Sequence, residues 1–298
     1  MQELNFKNIK IQSIVNEIYG AKNVSASVLR LDNLHPVISG NKWFKLRYYI
    51  EEAIQQNKKT ILTYGGAWSN HIVATACACS LNNLKCIGVI RGEEPLVYSD
   101  TLKAAQEYGM QFYFISRSDY KTKELPAGID AEDVYIIPEG GFGEKGAAGF
   151  ATALEYCNKS DFTHFICAVG TGTMMAGIIK AVSGKQEVIG IPVLKNNPEL
   201  LPAITHLLTA NEQQKKFKLM EGYHFGGYAK QTPVLIGFMN SFYTEFGVPS
   251  EFVYTAKLFY AVDRLIQENY FEPGSKILII HSGGLQGNSS LQKGTLIF

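Results

Sequence analysis

The chain has 298 residues, of which 46% are hydrophobic and 18% charged. This length fits one large or two medium domains, and the composition excludes a disordered, collagen-like or coiled-coil protein. The 28 Lys and Arg residues nearly balance the 27 Asp and Glu residues, so no overall field attracts nucleic acid or an anionic membrane. A small neutral or zwitterionic ligand suits such a chain better.

The five cysteines are an odd number and lie in apolar segments, which favours buried thiols and a reducing compartment. Cys77 and Cys79 have no second pair at metal-site spacing, and the histidines show no metal motif, so we expect no metal. The first ten residues, MQELNFKNIK, lack the apolar core of a secretory signal. No apolar run approaches the roughly 18 residues that a membrane span needs. We therefore expect a soluble, cytoplasmic protein.

Short β-rich runs alternate with helical patterns along most of the chain. The first series predicts strands over 60–63, 85–90 and 110–115, with helices over 69–82 and 99–108. The second series predicts strands over 134–137, 164–169, 187–193 and 276–281, with a helix over 146–158 and another from Thr173. This alternation is typical of βαβ units, so we expect two parallel α/β sheets.

Three predicted strands run directly into glycine-bearing turns: TILTYGGAWSNH, HFICAVGTGTMMAG and KILIIHSGG. Because the carboxyl ends of parallel strands line the ligand crevice, we expect these turns to converge on one site. Gly170, Thr171, Gly172 and Thr173 offer backbone donors, two hydroxyls and a helix start, which suits a phosphate. This turn has neither the lysine of a GxxxxGK[ST] loop nor the spacing of GxGxxG. A turn that only reverses the chain is the alternative.

Two lysines share one face of the helix predicted after the turn in SGNKWFKL. Lys42 and Lys45 are three residues apart and lie among Trp43, Phe44 and Leu46. A solvated helix face is the ordinary explanation for such a pair. A partly desolvated lysine, however, has a lowered pKa and becomes a nucleophilic amine of the kind that forms Schiff bases.

Six motifs occur in a fixed order from about His35 to His281: SGNKWFKL, YGGAWSNH, AVGTGTMMAG, FGGY, FVYTAK and HSGG. This ordered set resembles the family of 1-aminocyclopropane-1-carboxylate deaminase and D-cysteine desulfhydrase. The resemblance implies pyridoxal 5'-phosphate as cofactor and a two-domain, three-layer α/β/α protein of the tryptophan-synthase β-like fold (fold type II). Residues 1–45 and 151–298 would form a large cofactor-binding domain and residues 46–150 a small α/β domain. We also expect a homodimer.

The resemblance assigns the cofactor-binding residues position by position. Lys42 matches the Schiff-base lysine, and Lys45 would neutralise the cofactor phosphate, which residues 170–173 would hold. Asn70 would donate a hydrogen bond to the phenolate oxygen of the cofactor, and Thr255 would donate one to its pyridine nitrogen. For Asn70 and the preceding serine, a plain helix N-cap is the alternative.

The resemblance also assigns the residues that act on substrate. Ser69 would hold the substrate carboxylate at a helix start. Tyr228 in FGGY and Tyr254 in FVYTAK match a pair of active-site phenols that can act as acid, base or nucleophile partners. Taken alone, each tyrosine would be explained by packing. His71 matches the desulfhydrase branch, with a structural role as its alternative.

Thr255 separates the two branches of the family. In the deaminase branch a glutamate at this place keeps the pyridine nitrogen protonated, whereas the desulfhydrase branch has threonine. A hydroxyl donor makes the ring a weaker electron sink, which favours loss of a good leaving group from Cβ over opening of a cyclopropane ring. Ala67 and Trp68 replace the Ile-Gln that both branches tend to show, so Trp68 can reshape the substrate pocket.

The resemblance therefore implies that the protein breaks down a small amino acid to an α-keto acid and ammonia, by β-elimination from D-cysteine or a related D-amino acid. One alternative is a 1-aminocyclopropane-1-carboxylate deaminase. Another is a protein that binds pyridoxal phosphate without turnover. A third is a nucleotide-binding α/β enzyme that uses the glycine turn at 170–173.

Overall fold

The computed structural model describes residues 3–298. The strands of this part of the chain are β1 (Ile11–Ile14), β2 (Ser25–Arg30), β3 (Thr60–Gly66), β4 (Lys85–Arg91), β5 (Met110–Ile115), β6 (Val134–Ile137), β7 (His164–Val169), β8 (Glu187–Pro192), β9 (Lys216–Leu219) and β10 (Lys276–His281). The helices are α1 (Glu17–Ala21), α2 (Asn41–Gln55), α3 (Asn70–Leu81), α4 (Asp100–Glu107), α5 (Glu144–Ala151), α6 (Thr173–Ala181), α7 (Leu200–His206), α8 (Ala210–Gln213), α9 (Pro233–Phe246) and α10 (Thr255–Gln267).

The larger sheet joins strands from both ends of the chain. Its order is β1-β2-β10-β7-β8-β9, and all neighbours are parallel except β1 and β2. Along β10, Ile277 and Ile279 belong to one apolar cluster, whereas Leu278 and Ile280 belong to another. Because neighbouring residues of a strand face opposite sides, both faces of this sheet are buried, as parallel strands require.

The smaller sheet has the order β5-β4-β3-β6, and all its strands are parallel. α3 packs on one face and is buried nearly all round, because α2 and α4 cover its outer side. The other face carries a second apolar cluster that includes Tyr64, Val89 and Tyr120. The carboxyl ends of both sheets lead into glycine-bearing turns, and these turns build the site described below.

Two α/β sheets are present, as the sequence predicts, although the antiparallel β1 makes the larger one mixed, and four strands have the predicted bounds. β3 runs three residues further than expected, to Gly66. The helix predicted over 146–158 is wrong in its second half: α5 ends at Ala151, and a tighter 3₁₀ turn follows over Thr152–Tyr156. Thr152 Oγ1 donates to the Gly149 carbonyl at 2.7 Å, a local bond that competes with continuation of the helix.

The described part of the chain lacks membrane-spanning helices, disulfide bonds and groups of metal-ligating side chains. Within residues 3–298, no helix is long and apolar enough to cross a bilayer. The five cysteines are free thiols, and all except Cys157 are buried. The same residues contain no group of three or more His, Cys, Asp or Glu side chains that could hold a metal ion.

Candidate active site

The turn before α2 is fixed by a close approach between two glycine-bearing turns. Gly40 has a φ of +67°, and a Cβ at this position would overlap the Ser282 carbonyl oxygen. The Asn41 N–H donates to that oxygen at 3.0 Å, and the Gly284 N–H donates to Ser39 Oγ at 3.0 Å. This turn therefore needs glycine. It sets the start of α2 against the turn that follows β10.

Two lysines near the start of α2 lie in the protein interior. Lys42 is partly buried, and Lys45 is 4% exposed. Burial lowers the pKa of Lys42 to about 8, although the buried carboxylate of Glu251 favours its charged form. Burial and the charge of Lys42 hold the pKa of Lys45 well below its usual range. Lys42 thus offers an amine that deprotonates close to neutral pH, as a nucleophile requires.

The turn at 170–173 joins β7 to α6 and has the geometry of an anion cradle. Gly172 has a φ of +85°, and a Cβ there would lie 2.6 Å from Ile204 Cγ1. Thr171 Oγ1 and Thr173 Oγ1 are 3.1 Å apart at the start of the nine-residue helix α6. Two hydroxyls and the unpaired N–H groups of a first helical turn suit a phosphate.

Lys45 lies beside this cradle, because two consecutive glycines contact both. A Cβ on Gly140 would lie 3.1 Å from Thr171 Cγ2, and one on Gly141 would lie 3.3 Å from Lys45 Cβ and 3.6 Å from its Cε. Both glycines have positive φ. A phosphate in the cradle would favour the charged form of the Lys45 amine.

α3 begins at the second glycine turn. Ser69 caps this helix, since its Oγ accepts from the His71 N–H at 3.3 Å. Asn70 faces the turn after β10, because a Cβ on Gly284 would lie 2.7 Å from Asn70 Nδ2. Within the described chain, Asn70 Oδ1 is buried without a hydrogen-bond partner. The Ser69 hydroxyl therefore caps the helix through its oxygen, which leaves its proton to donate to a ligand, and the Asn70 amide has a polar atom that a ligand can satisfy.

His71 is a buried neutral imidazole. Thr63 Oγ1 donates its only proton to the Ile137 carbonyl at 2.8 Å, so His71 Nε2–H must donate to Thr63 Oγ1, also at 2.8 Å. Nδ1 is then unprotonated, and it has no partner within residues 3–298. Burial and the charges of Lys42 and Lys45 hold the pKa of His71 well below its usual range. His71 thus ties α3 to β3 and leaves an acceptor near the two lysines.

The aromatic rings of Tyr228 and Tyr254 pack edge to face, with their centroids 6.0 Å apart. Tyr254 also contacts the cradle, because a Cβ on Gly170 would lie 3.1 Å from Tyr254 Cε1 and 3.6 Å from its phenolic oxygen. Burial raises the pKa of both phenols, so both are protonated at neutral pH. Tyr228 is 48% exposed and lies on the open side of the site.

Thr255 opens α10 and is held by Glu251. The Glu251 N–H donates to Thr255 Oγ1 at 2.7 Å, and that hydroxyl donates to the Glu251 carbonyl over a long 3.4 Å. The Glu251 carboxylate accepts from three successive backbone N–H groups, at 2.8, 2.5 and 2.9 Å, those of Val253, Tyr254 and Thr255. Burial raises the pKa of this carboxyl to about 7. The Glu251 side chain thus satisfies the helix start and positions both predicted site residues.

Glu251 and Lys257 are buried charged residues that sequence reasoning missed. Lys257 is fully buried, and its Nζ donates to the Gly227 carbonyl at 2.7 Å. Burial lowers the pKa of this amine to about 8. The available signal was a lysine three residues after Tyr254, on the apolar face of a helix, where a charge needs a specific partner.

The predicted site residues gather around the carboxyl ends of β3, β7 and β10. The turn after β10 meets the start of α2 and Asn70, and Gly284 also approaches Glu251. Tyr254 links α10 to the cradle, and Tyr228 joins through Tyr254. The three glycine turns therefore converge on one region, as the sequence predicts.

One family model matches residues 16–283 of this chain, and that family is described as pyridoxal-phosphate dependent enzymes. The chain belongs to this family. It is 28% identical to a Thermotoga maritima protein named "Putative 1-aminocyclopropane-1-carboxylate deaminase", over 96% of each chain. It is 26% identical to an Arabidopsis thaliana protein named "Bifunctional D-cysteine desulfhydrase/1-aminocyclopropane-1-carboxylate deaminase, mitochondrial", over 84% of this chain and 70% of that one.

The fold is similar to a crystal structure of an ACC deaminase homologue, with a TM-score of 0.78 and 25% identity over 96% of this chain and 92% of that one. The protein is thus a pyridoxal-phosphate-dependent enzyme of fold type II. The site fits this cofactor. The cradle and Lys45 suit its phosphate, the Lys42 amine suits its aldehyde, and the Asn70 side chain, whose Nδ2 faces the turn after β10, offers a donor that suits its phenolate oxygen.

Proposed function

We propose that this enzyme breaks down a small amino acid by β-elimination, with D-cysteine or a related D-amino acid as substrate. The products are an α-keto acid and ammonia, together with sulfide when the substrate is cysteine. The observation that carries this proposal is the neutral, fully buried hydroxyl of Thr255 at the start of α10. The name of the Arabidopsis relative, which joins D-cysteine desulfhydrase to 1-aminocyclopropane-1-carboxylate deaminase, includes this reaction beside the alternative one.

In this proposal Lys42 carries the cofactor, and residues 170–173 with Lys45 hold its phosphate. Asn70 hydrogen-bonds its phenolate oxygen. Thr255 donates to its pyridine nitrogen, because among residues 3–298 the only acceptor of the Thr255 hydroxyl proton is the distant Glu251 carbonyl, at 3.4 Å. Pyridoxal phosphate, when bound, supplies the electron sink that accepts the electron pair left at Cα.

The roles of the residues around the substrate are assigned from the charge and protonation state of each side chain. The first turn of α3 and the Ser69 hydroxyl hold the substrate carboxylate, which a helix N-terminus favours. Lys42 removes the Cα proton, because a pKa of about 8 leaves a usable fraction of neutral amine at neutral pH. Tyr254 and Tyr228 are protonated and so serve as hydrogen-bond donors to the departing group or to the carboxylate.

The Thr255 hydroxyl favours elimination over ring opening. A hydroxyl leaves the pyridine nitrogen neutral, which weakens the electron sink. Elimination from a cysteine-like substrate needs removal of a Cα proton and departure of a low-pKa thiolate. Opening of a cyclopropane ring has no thiolate to expel and depends more strongly on the sink.

The holoenzyme should therefore be assayed with D-cysteine, L-cysteine and 1-aminocyclopropane-1-carboxylate, scoring keto acid, ammonia and sulfide. We expect sulfide and pyruvate from D-cysteine at a higher kcat/KM than from the other two compounds. Faster deamination of the cyclopropane substrate would contradict the role given to Thr255. Cofactor absorbance without any product would contradict turnover itself.

We further propose that the enzyme is a cytoplasmic homodimer that acts on small amino acids. Five free thiols support a reducing compartment. Light scattering on the holoenzyme should give twice the mass of one chain, and a monomer would contradict the dimer.

A further inference from the structure

Arg91 is the last residue of β4 and lies beside the glycine turn that leads to Ser69. It is in register with Gly66 across the parallel pair of β3 and β4. A Cβ on Gly66 would lie 3.8 Å from an Arg91 guanidinium nitrogen. The guanidinium therefore lies next to the proposed carboxylate-binding turn, at the end of the sheet where ligands of parallel α/β proteins bind.

The charge of Arg91 is not paired with a carboxylate. Arg91 is exposed, and no carboxylate oxygen among residues 3–298 lies within 4.0 Å of its guanidinium. The guanidinium carbon lies 5.7 Å from the centroid of the Tyr120 ring. Lys123, whose Nζ is 3.2 Å from the same centroid, is by contrast paired with Glu139 at 2.6 Å. The positive charge of Arg91 is therefore not compensated by a nearby carboxylate, whereas that of Lys123 is.

This charge acts across the space between the two sheets. Tyr228 belongs to the segment after β9 of the larger sheet, whereas Arg91 ends a strand of the smaller sheet. Burial raises the pKa of the Tyr228 phenol, and the positive charge of Arg91 opposes that rise. The guanidinium of Arg91 thus lies close enough to Tyr228, a residue of the proposed site, to act on its charge.

We propose that Arg91 forms a subsite for an anionic group carried at Cβ of the substrate. The planar guanidinium offers paired N–H donors that match the oxygens of a phosphate, sulfonate or carboxylate. This inference rests on the proposed function, in which the Cβ substituent leaves with the electron pair of its bond to carbon. A cation beside that substituent favours both its binding and its departure as an anion.

O-phosphoserine and O-acetylserine form a matched pair of probes, because they differ in the charge of the Cβ substituent. With O-phosphoserine, the Cα proton is removed, the Cβ–O bond breaks and its electron pair leaves with inorganic phosphate. The released 2-aminoacrylate takes up water and gives pyruvate and ammonia. O-acetylserine gives the same pyruvate and ammonia, with acetate as the departing group.

The experiment compares kcat/KM for both probes, in both enantiomers, for the wild-type holoenzyme, Arg91→Gln and Arg91→Lys. Arg117→Gln is the matched control, because Arg117 is also an exposed arginine and follows the neighbouring strand β5. We expect Arg91→Gln to lower kcat/KM for O-phosphoserine by about tenfold or more, as loss of a charged hydrogen bond does. Turnover of O-acetylserine should stay within twofold, and Arg91→Lys should retain part of the preference.

A second measurement does not depend on turnover. 2-Amino-3-phosphonopropionate cannot be eliminated at its C–P bond, so calorimetry gives its affinity for the holoenzyme directly, with alanine as the neutral reference. We expect Arg91→Gln to weaken binding of the phosphonate and not of alanine. Equal losses for both ligands, or no loss, would overturn the subsite. If O-acetylserine gives pyruvate and Arg91→Gln does not change the preference between the probes, the proposed function stands and this inference fails.

Discussion

Lys42 is a side chain whose chemistry depends on its surroundings. Its burial lowers the pKa to about 8, the Glu251 carboxylate opposes that shift, and the charge of Lys42 in turn depresses the pKa of Lys45 and His71. Only the neutral amine can attack the aldehyde of the cofactor. Uptake of pyridoxal phosphate by the cofactor-free protein should therefore speed up as the pH rises through about 8 and level off above it.

Stopped-flow absorbance gives the rate of uptake at each pH. Borohydride reduction and peptide mapping should then place the pyridoxyl group on Lys42, and Lys45→Met should weaken phosphate binding without moving the point of attachment. A midpoint near the ordinary lysine pKa, or a pyridoxyl group on Lys45, would contradict this assignment.

In the proposed function Thr255 is the partner of the pyridine nitrogen, so one substitution there should change the electron sink. A carboxylate in its place would stabilise the protonated form of the pyridine nitrogen, so Thr255→Glu should raise ring opening of 1-aminocyclopropane-1-carboxylate relative to sulfide release from D-cysteine. We expect a change in this ratio of about tenfold, which corresponds to about 1.4 kcal/mol between the two barriers. Thr244→Glu, on an exposed face of α9, is the control.

Circular dichroism and cofactor absorbance must first show that Thr255→Glu folds and holds the cofactor, because the position is fully buried. A folded variant with an unchanged product ratio would show that the partner of the pyridine nitrogen does not select the reaction.

At the scale of elements, α10 positions a turn that is distant in sequence. Lys257 on this helix donates to the Gly227 carbonyl at 2.7 Å, and the turn around Gly227 contains two non-glycine residues with positive φ, Phe225 and Ala229. Such a backbone is strained, so it depends on external support. We infer that Lys257 positions Tyr228 through the backbone of this turn.

Lys257→Met should therefore lower kcat by about tenfold, as expected when a buried acceptor loses its charged donor, with a smaller change in KM. The effect of Tyr228→Phe should shrink in the Lys257→Met background, because the two residues act through one group. Lys230→Met, at an exposed lysine of the same segment, is the control. Strictly additive losses in kcat would show that Lys257 supports the fold and not Tyr228.

Most helices and strands, and the turns that carry the proposed cofactor site, can be predicted from the sequence for a physical reason. Strand-to-helix turns with glycine are local signals, so β7 with its cradle and α2 with Lys42 can be predicted from neighbouring residues. The anchoring of α10 could not be predicted this way. Glu251 satisfies the start of that helix and Lys257 binds a carbonyl thirty residues away, and both contacts exist only after the chain has folded.

At the scale of the whole molecule, the candidate site lies between two sheets that are built from different parts of the chain. Every strand of the smaller sheet falls within the predicted small domain, residues 46–150, and every strand of the larger one falls outside it. α2 spans Asn41–Gln55 and so continues through the predicted boundary. The division into two domains stays a prediction, and α2 indicates that any hinge lies outside this helix.

If the two domains close on substrate, the turn that carries Trp68 should become less accessible. Trp68 is 53% exposed and precedes the proposed carboxylate-binding serine, so it reports on water near the site. In the holoenzyme variant Trp43→Phe, Trp68 becomes the sole tryptophan. Acrylamide quenching of its fluorescence should weaken when D-alanine, which has no leaving group at Cβ, saturates the site. Closure would exclude water from the carbanion that forms at Cα of the substrate.

The variant Trp68→Phe, which reports on Trp43 alone, should show no comparable change in quenching. Unchanged quenching of Trp68 at saturation would argue against closure.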